Sequence, residues 1–331
     1  MNIAVLMPDD DTRRQFLPPP VADALNALGD VAWNPGKTHY TEKELPDVIA
    51  GAKVLVSGWG CPFIDAKWLD GTPRLLAHTG GTVAPFVNRE TLEKGLRVIS
   101  VNDIYARSTA EGAVSLMLCA LRQLPYWDQE VRLGRWRTVD FQNQGLYRRR
   151  VGLVGYGTIA SFVIPILKAF GAEVFLSSGH LSEKDCAALG VQKASIEDIF
   201  STCEVISLHA SLTEQTRGMV GESLLKRIQD DALFVNTSRG AIVDEDALIR
   251  VLKTGRIKAA LDVFQTEPLA LDSPLRGLPN VLLLPHMAGP TRDLYPVCGF
   301  AVVEEARRFL NDEPLTRELR IDAINRMTTG G

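Results

Sequence analysis

Arg150-Val151-Gly152-Leu153-Val154-Gly155-Tyr156-Gly157-Thr158-Ile159-Ala160 is the stretch from which the fold can be read. An apolar, β-branched run from Val151 to Val154 leads directly into Gly155-x-Gly157-x-x-Ala160, and a segment of helical composition follows. Glycine at 155 permits a tight turn, and glycine at 157 lets the backbone approach a pyrophosphate. A small residue at 160 lets the helix pack closely on the strand. The pyrophosphate would then sit at a helix N-terminus, where unpaired N–H groups and the dipole favour an anion. A plain glycine turn between a core strand and a helix reads similarly, but the strand before it and the helix after it favour a dinucleotide site.

The rest of the chain is consistent with that site. Its 331 residues favour two domains over one, each able to bury a core. The composition is that of a globular protein, with 46% hydrophobic and 23% charged residues and a net charge of −4. Mild acidity gives no reason to expect a nucleic-acid footprint or a membrane-surface partner. The longest apolar run, Ala113 to Leu121, stops at Arg122, far short of a membrane span. The opening MNIAVLMPDDD lacks a basic n-region, so no signal peptide is expected. Five scattered cysteines without CxxC spacing suit reduced packing residues of a cytoplasmic protein. The five histidines show no metal-ligand spacing, so no metal is expected.

Before the fingerprint, short β-rich runs occur at Asn2–Met7, Val31–Trp33, Val54–Ser57, Leu75–Thr79 and Val98–Val101. After it they recur at Val151–Val154, Val174–Ser177, Val205–His209, Leu233–Asn236, Ala259–Val263 and Val281–Leu284. Helical or breaker segments separate them, and such alternation implies parallel pairing. Ser108-Thr109-Ala110-Glu111 has the capping-box pattern and is expected to open a long helix that Pro125 ends; a second helix is expected over Tyr126–Trp136. Leu294–Leu310 reads as a last helix that returns to the first domain.

Polar residues stand just past three predicted strands: Arg239 within Asn236-Thr237-Ser238-Arg239-Gly240, Glu267 within Asp262-Val263-Phe264-Gln265-Thr266-Glu267-Pro268, and His286 after Pro285. In an open α/β sheet those strand ends face one crevice, so an anion clamp, a carboxylate and a proton donor can converge there. Gly80-Gly81, at the end of the Leu75–Thr79 run, is a further place where backbone N–H groups can be presented to an anion.

With these blocks in place, the chain resembles the D-isomer-specific 2-hydroxyacid dehydrogenase family, most strongly from Val151 onward. The likeness rests on the fingerprint, on His209-Ala210-Ser211-Leu212-Thr213-Glu214-Gln215-Thr216, and on the three strand-end blocks. It implies an α/β protein of two Rossmann/flavodoxin-like parallel-sheet domains. The NAD(P)-binding domain, 103–289, would be inserted into a substrate-binding domain of 1–102 completed by 290–331. It implies hydride transfer between a 2-keto acid and a D-2-hydroxy acid. By the resemblance Arg239 binds the substrate carboxylate and polarises the keto oxygen, as suits a planar, permanently charged fork. His286 is the general acid and base, and Glu267 orients its ring. Gly80 and Gly81 cradle the substrate with their amides, alongside Arg239 and His286. The cofactor, NAD or NADP, would meet Gly155, Tyr156, Gly157, Thr158, Ile159 and Ser178. It would also meet His209, Ala210, Thr216, Thr237, Ser238, Asp262, His286 and Gly289. The resemblance further implies a homodimer.

Two departures stand out. Ser178 occupies the position where the family often carries the Asp that grips the adenosine ribose, which leaves NADP as permissible as NAD. The glycine loop continues Thr82-Val83-Ala84-Pro85 without the acid and Asn often seen there, so the substrate's substituent is not read from sequence. Trp59 and Tyr295 are expected near its pocket. A dinucleotide-sensing binding protein or corepressor on the same fold is the alternative function; no basic or disordered tail supports it.

Overall fold

The computed structural model describes residues 2–139, 141–325 and 327. The chain divides into two compact units, Met1–Tyr105 with Pro290–Gly331, and Ala106–Gly289. The expected tail, 290–331, includes residues 326 and 328–331, which lie outside the described residues.

The first unit opens with β1 (Ile3–Val5), α1 (Asp11–Phe16), α2 (Pro19–Asn26), β2 (Val31–Trp33), α3 (Leu45–Ala50), β3 (Val54–Ser57), β4 (Arg74–His78), α4 (Arg89–Glu93) and β5 (Leu96–Ser100). The five strands form one parallel sheet in the order β2-β1-β3-β4-β5. Its central strands are buried at every position, as expected where helices cover both faces. Helix starts are set by side chains: Asp10 accepts the Arg13 N–H at 2.8 Å, and Asn88 and Thr91 form a reciprocal capping box.

The chain then runs through α5 (Asn102–Arg122) and α6 (Leu124–Arg132). Here two expectations are corrected. The long helix does not begin at Ser108; strand β5 passes almost directly into it, with the Ile104 and Tyr105 N–H groups bonding back to Val101 O. Ser108 therefore sits inside the helix, and its hydroxyl donates to Gly289 O at 3.1 Å instead of capping. Nor does Pro125 end that helix. Gln123 takes a left-handed conformation, φ 53°, and Pro125 lies in the first turn of α6, where its missing N–H is no loss.

The second unit continues with β6 (Arg150–Val154), α7 (Thr158–Ala169), β7 (Glu173–Ser177), α8 (Glu183–Leu189), β8 (Gln192–Lys193), α9 (Ile196–Thr202), β9 (Val205–Leu208), α10 (Glu222–Leu225), β10 (Leu233–Asn236), α11 (Glu245–Leu252), β11 (Lys258–Leu261) and β12 (Val281–Leu283). Its parallel sheet has the order β12-β11-β10-β9-β6-β7-β8. That is the doubly wound arrangement, with the change of direction between β6 and β9. Two clusters, one around Phe200, Phe234 and Leu252 and one around Val163, Leu167 and Leu176, form its core. Finally α12 (Tyr295–Leu310) and α13 (Ile321–Ile324) complete the first unit, where Cys298, Val302 and Ala306 join Ile3, Val5 and Phe16. Among the described residues no helix is long and apolar enough to cross a membrane.

Each sheet buries a histidine at or just beyond a strand end. His78 Nδ1 shares a hydrogen with Ser57 Oγ at 3.0 Å, and His209 Nε2 does so with Ser207 Oγ at 3.0 Å. Burial pulls both imidazoles below the ordinary 6.5, to about 3 for His78 and about 4 for His209. The unfolded chain binds these protons first, so their neutral state supports the fold above pH 6.5 and that support is lost as pH falls toward 4 and 3. By pH 5 the loss is about 2 kcal/mol for each histidine. Urea melts at pH 7.5 and pH 5 are expected to show it, with His78→Asn giving a flatter pH dependence; parallel profiles for the two proteins would refute the assignment.

Candidate active site

The crevice of the second sheet begins where β6 ends. Gly155, at φ 97°, turns the chain against the next strand's extension, since a Cβ there would lie 2.5 Å from Ala210 N. The His209 N–H donates to Val154 O at 2.7 Å across the same junction. At Gly157, the N-cap of α7, a Cβ would meet nothing within 4 Å, and no side chain caps the helix. Tyr156, Thr158 and Ile159 flank this open end, partly or fully exposed, while Ala160 is buried beneath it.

Three buried polar atoms near this crevice have no hydrogen-bond partner among the described residues: Nδ1 of His209, Oγ1 of Thr237 and Nε of Arg239. A buried donor or acceptor left unpaired is destabilising by about 1–3 kcal/mol. Such atoms suit hydrogen bonds to a bound group, and with the open helix end they fit a dinucleotide. Neighbouring residues are committed locally. Ser238 Oγ donates to Leu208 O at 2.8 Å, and Thr216 Oγ1 donates to Ser211 O at 2.6 Å.

Arg239 follows β10, and its place is set by the glycine after it. A Cβ on Gly240 would fall 1.9 Å from the Phe264 carbonyl carbon, so only glycine lets the two backbones meet. Asn236 holds the turn, accepting the Ser238 N–H at 3.0 Å and donating to Arg239 O at 3.1 Å. Arg239 Nη1 donates to Ser238 O at 2.7 Å. Burial pulls its guanidinium below the ordinary value, and the Glu267 carboxylate acts in the opposite direction.

Glu267 lies in the loop after β11. One carboxylate oxygen accepts the Phe264 N–H at 3.0 Å and the other pairs with His286 Nδ1 at 2.6 Å. The imidazole side chain is 47% exposed, so its second nitrogen is accessible. Both residues also line a cavity of about 540 Å³ with Phe264, Leu269 and Leu284. His286 adopts a left-handed backbone, φ 55°, which costs a non-glycine residue about 1 kcal/mol or more. Asp262 holds it there. The Asp262 carbonyl accepts the His286 N–H at 2.8 Å, and its buried carboxylate accepts the Met287 and Ala288 N–H groups at 2.6 and 3.0 Å. Sequence reasoning placed Asp262 against a cofactor; in the structure both its oxygens brace the histidine loop.

Two supports escaped the sequence reading. Gly112 of α5 lies so close to this loop that a Cβ would come within 2.5 Å of Ala288 O. Glu245, at the start of α11, accepts the Gln265 N–H at 2.8 Å and steadies the Glu267 loop. A mid-helix glycine is the one signal that pointed to the first; nothing local pointed to the second.

In the first unit, Gly80 and Gly81 follow β4. A Cβ on Gly80 would overlap His78 Nε2 at 2.5 Å and crowd Trp59 Nε1 at 3.2 Å, and one on Gly81 would touch Tyr105. Trp59 packs edge-on against Phe16, Tyr105 and Tyr295.

The second unit is thus a doubly wound sheet of the dinucleotide-binding kind, with Arg239, Glu267 and His286 placed after its strands. Residues 114–288 match the model of the D-isomer specific 2-hydroxyacid dehydrogenase, NAD binding domain, and the chain belongs to that family. Its cofactor is accordingly NAD or NADP. The chain is 34% identical over 257 residues to a glyoxylate reductase of Korarchaeum cryptofilum, covering 76% of this chain and 77% of that protein. It is 31% identical over 297 residues to a D-3-phosphoglycerate dehydrogenase of Methanocaldococcus jannaschii, covering 88% of this chain but 56% of that one. The chain thus spans little more than half the length of such relatives. The solved TT0316 protein from Thermus thermophilus superimposes with a TM-score of 0.79 at 26% identity, covering 97% of this chain and all of that one.

Because Gly240 allows no side chain, Gly240→Ala is expected to lower stability by about 3 kcal/mol through backbone displacement. It should also displace Arg239, whose turn is held against the Phe264 loop. Thermal melts check this; an unchanged melting temperature would show that the Phe264 loop can yield.

Proposed function

We propose that the protein interconverts a 2-keto acid and a D-2-hydroxy acid, with NAD or NADP as hydride carrier. The observation that carries this reading is the cluster of Arg239, Glu267 and His286 on the crevice side of one sheet, with the Glu267 carboxylate 2.6 Å from His286 Nδ1. When bound, the dinucleotide supplies the hydride for the carbonyl carbon in reduction, or accepts it in oxidation. Arg239 is to bind the substrate carboxylate and draw electron density onto the keto oxygen, where its positive charge stabilises the developing alkoxide. His286, its Nδ1 held by Glu267, gives the proton on Nε2 to that oxygen and recovers it in the reverse direction. Glu267 fixes the ring so that Nε2 is the atom presented. Asp262 keeps the histidine backbone in place. Gly80 and Gly81 retain a substrate-binding role in this reading. The remaining substituent of the substrate is left to the assay.

Reduced-nicotinamide oxidation against glyoxylate, hydroxypyruvate, pyruvate and bulkier 2-keto acids tests this. His286→Ala should lower kcat roughly a hundred- to ten-thousand-fold with cofactor affinity retained. Glu267→Gln should lower it less, since an amide still accepts the ring N–H. Full turnover in His286→Ala would sink the mechanism. Silence across the panel with cofactor still bound would favour the dinucleotide-sensing protein.

We also place the protein in the cytoplasm as a homodimer. All five cysteines are free thiols. Tyr126, Leu133, Trp136 and Tyr147, in and after α6, are each more than half exposed. Light scattering should give twice the chain's 36.3 kDa, and Trp136→Glu should return it to that mass. A monomeric natural chain would refute the dimer.

A further inference from the structure

His286 and Glu267 border a cavity of about 540 Å³, within the range of small-molecule sites. The loop after β11 contributes Phe264, Pro268 and Leu269 to its walls, and the end of β12 with the residues just beyond contributes Leu283, Leu284 and Pro285. Leu269, Leu283 and Leu284 are each only partly buried, so apolar surface lies open beside a polar pair. Apolar area in such a place marks a site where a ligand completes the packing.

The walls are held from behind. Arg276 donates from Nε to Ala270 O at 2.9 Å and from Nη2 to Leu269 O at 2.7 Å, which pins the loop carrying Leu269. The Leu284 N–H donates to Leu261 O at 2.9 Å, which fixes that leucine to the end of β11. Glu267 gives one oxygen to the Phe264 N–H and the other to His286 Nδ1. The carboxylate and the guanidinium that border the cavity are thus engaged with the protein, and what remains for a guest is mainly apolar contact.

Sheet order supplies a direction. Arg239 follows β10, whereas the cavity lies at the ends of β11 and β12, and the three strands stand in the order β12-β11-β10. In the proposed reaction the substrate carboxylate is on Arg239 and the keto oxygen is at His286. One group is then left on the trigonal carbonyl carbon, and it points away from the carboxylate, from β10 toward β12.

We infer that this cavity receives that group, and that the protein acts on 2-keto acids with a branched aliphatic or aromatic substituent in preference to glyoxylate. The inference rests on the keto-acid reaction proposed above and adds to it the class of substrate. Leu269, Leu283 and Leu284 are the residues that set the preference, and Arg276 is a positioning residue that keeps the Leu269 wall in place.

The test is kcat/KM of the purified protein for glyoxylate, pyruvate, 4-methyl-2-oxopentanoate, phenylpyruvate and 2-oxoglutarate. Ratios between substrates are independent of the fraction of folded enzyme, so they report on the pocket. The methyloxopentanoate has three more carbons than pyruvate and should exceed it at least about twentyfold, since each methylene removed from water contributes about fourfold. Leu269→Trp fills the cavity and should cut that ratio at least about tenfold. Arg276→Gln unties the Leu269 loop and should lower the ratio by a smaller factor. Highest kcat/KM on glyoxylate or 2-oxoglutarate, or an unchanged ratio in Leu269→Trp, would overturn the pocket while the keto-acid reaction stood. No turnover on any of the five acids, with cofactor bound, would overturn both.

Discussion

The parallel pairing of β6 with β9 is the constraint on which the second unit depends. Strands on one side of that pair continue through β7 and β8, and those on the other through β10, β11 and β12. The connections leaving the pair diverge to opposite faces, and a crevice opens at the carboxyl ends. The crevice is narrow at its base because Gly155 lies against Ala210, a contact that no side chain could share. From there each functional group is delivered by the strand beneath it: Arg239 by β10, Glu267 by β11 and His286 by β12. The cluster is a property of sheet order before it is one of side chains.

Backbone contacts then decide how exactly the cluster sits. Gly240 admits the Phe264 backbone, which ties the arginine turn to the glutamate loop. Gly112 admits Ala288, which brings a helix of the same unit against the histidine loop. Glu267 spends one oxygen on the Phe264 amide and the other on the imidazole, so its ring contact is referenced to the same backbone. The loops that carry Arg239, Glu267 and His286 are therefore tied to one another through shared backbone contacts.

Much of this was legible in the sequence, for a physical reason. Strands buried on both faces read as short, mostly apolar runs, and β3, β6, β9 and β10 do so. The fingerprint was legible because Gly155 answers a local steric demand while Gly157 leaves the end of its helix open. Other features were not. Strand β8 is two exposed polar residues on a sheet edge, with no pattern to betray it. The start of α5 was misread because Ser108 resembles a cap, whereas its real partner, Gly289, is 181 residues away. The bracing role of Asp262 was not legible either, because the amides it serves belong to Met287 and Ala288, beyond the reach of a linear pattern.

That last residue has a wider consequence. The Asp262 carbonyl and carboxylate together take up the N–H groups of three successive residues, His286 to Ala288, at the far end of the pairing between β11 and β12. The His286 backbone is thus anchored to the rim of the sheet independently of its own imidazole. Fraying of that rim would release the imidazole from Glu267 while the rest of the unit stayed folded. Local opening of the His286 loop by heat or denaturant would then precede any loss of global structure, and the margin between the two would measure the strength of a single buried carboxylate.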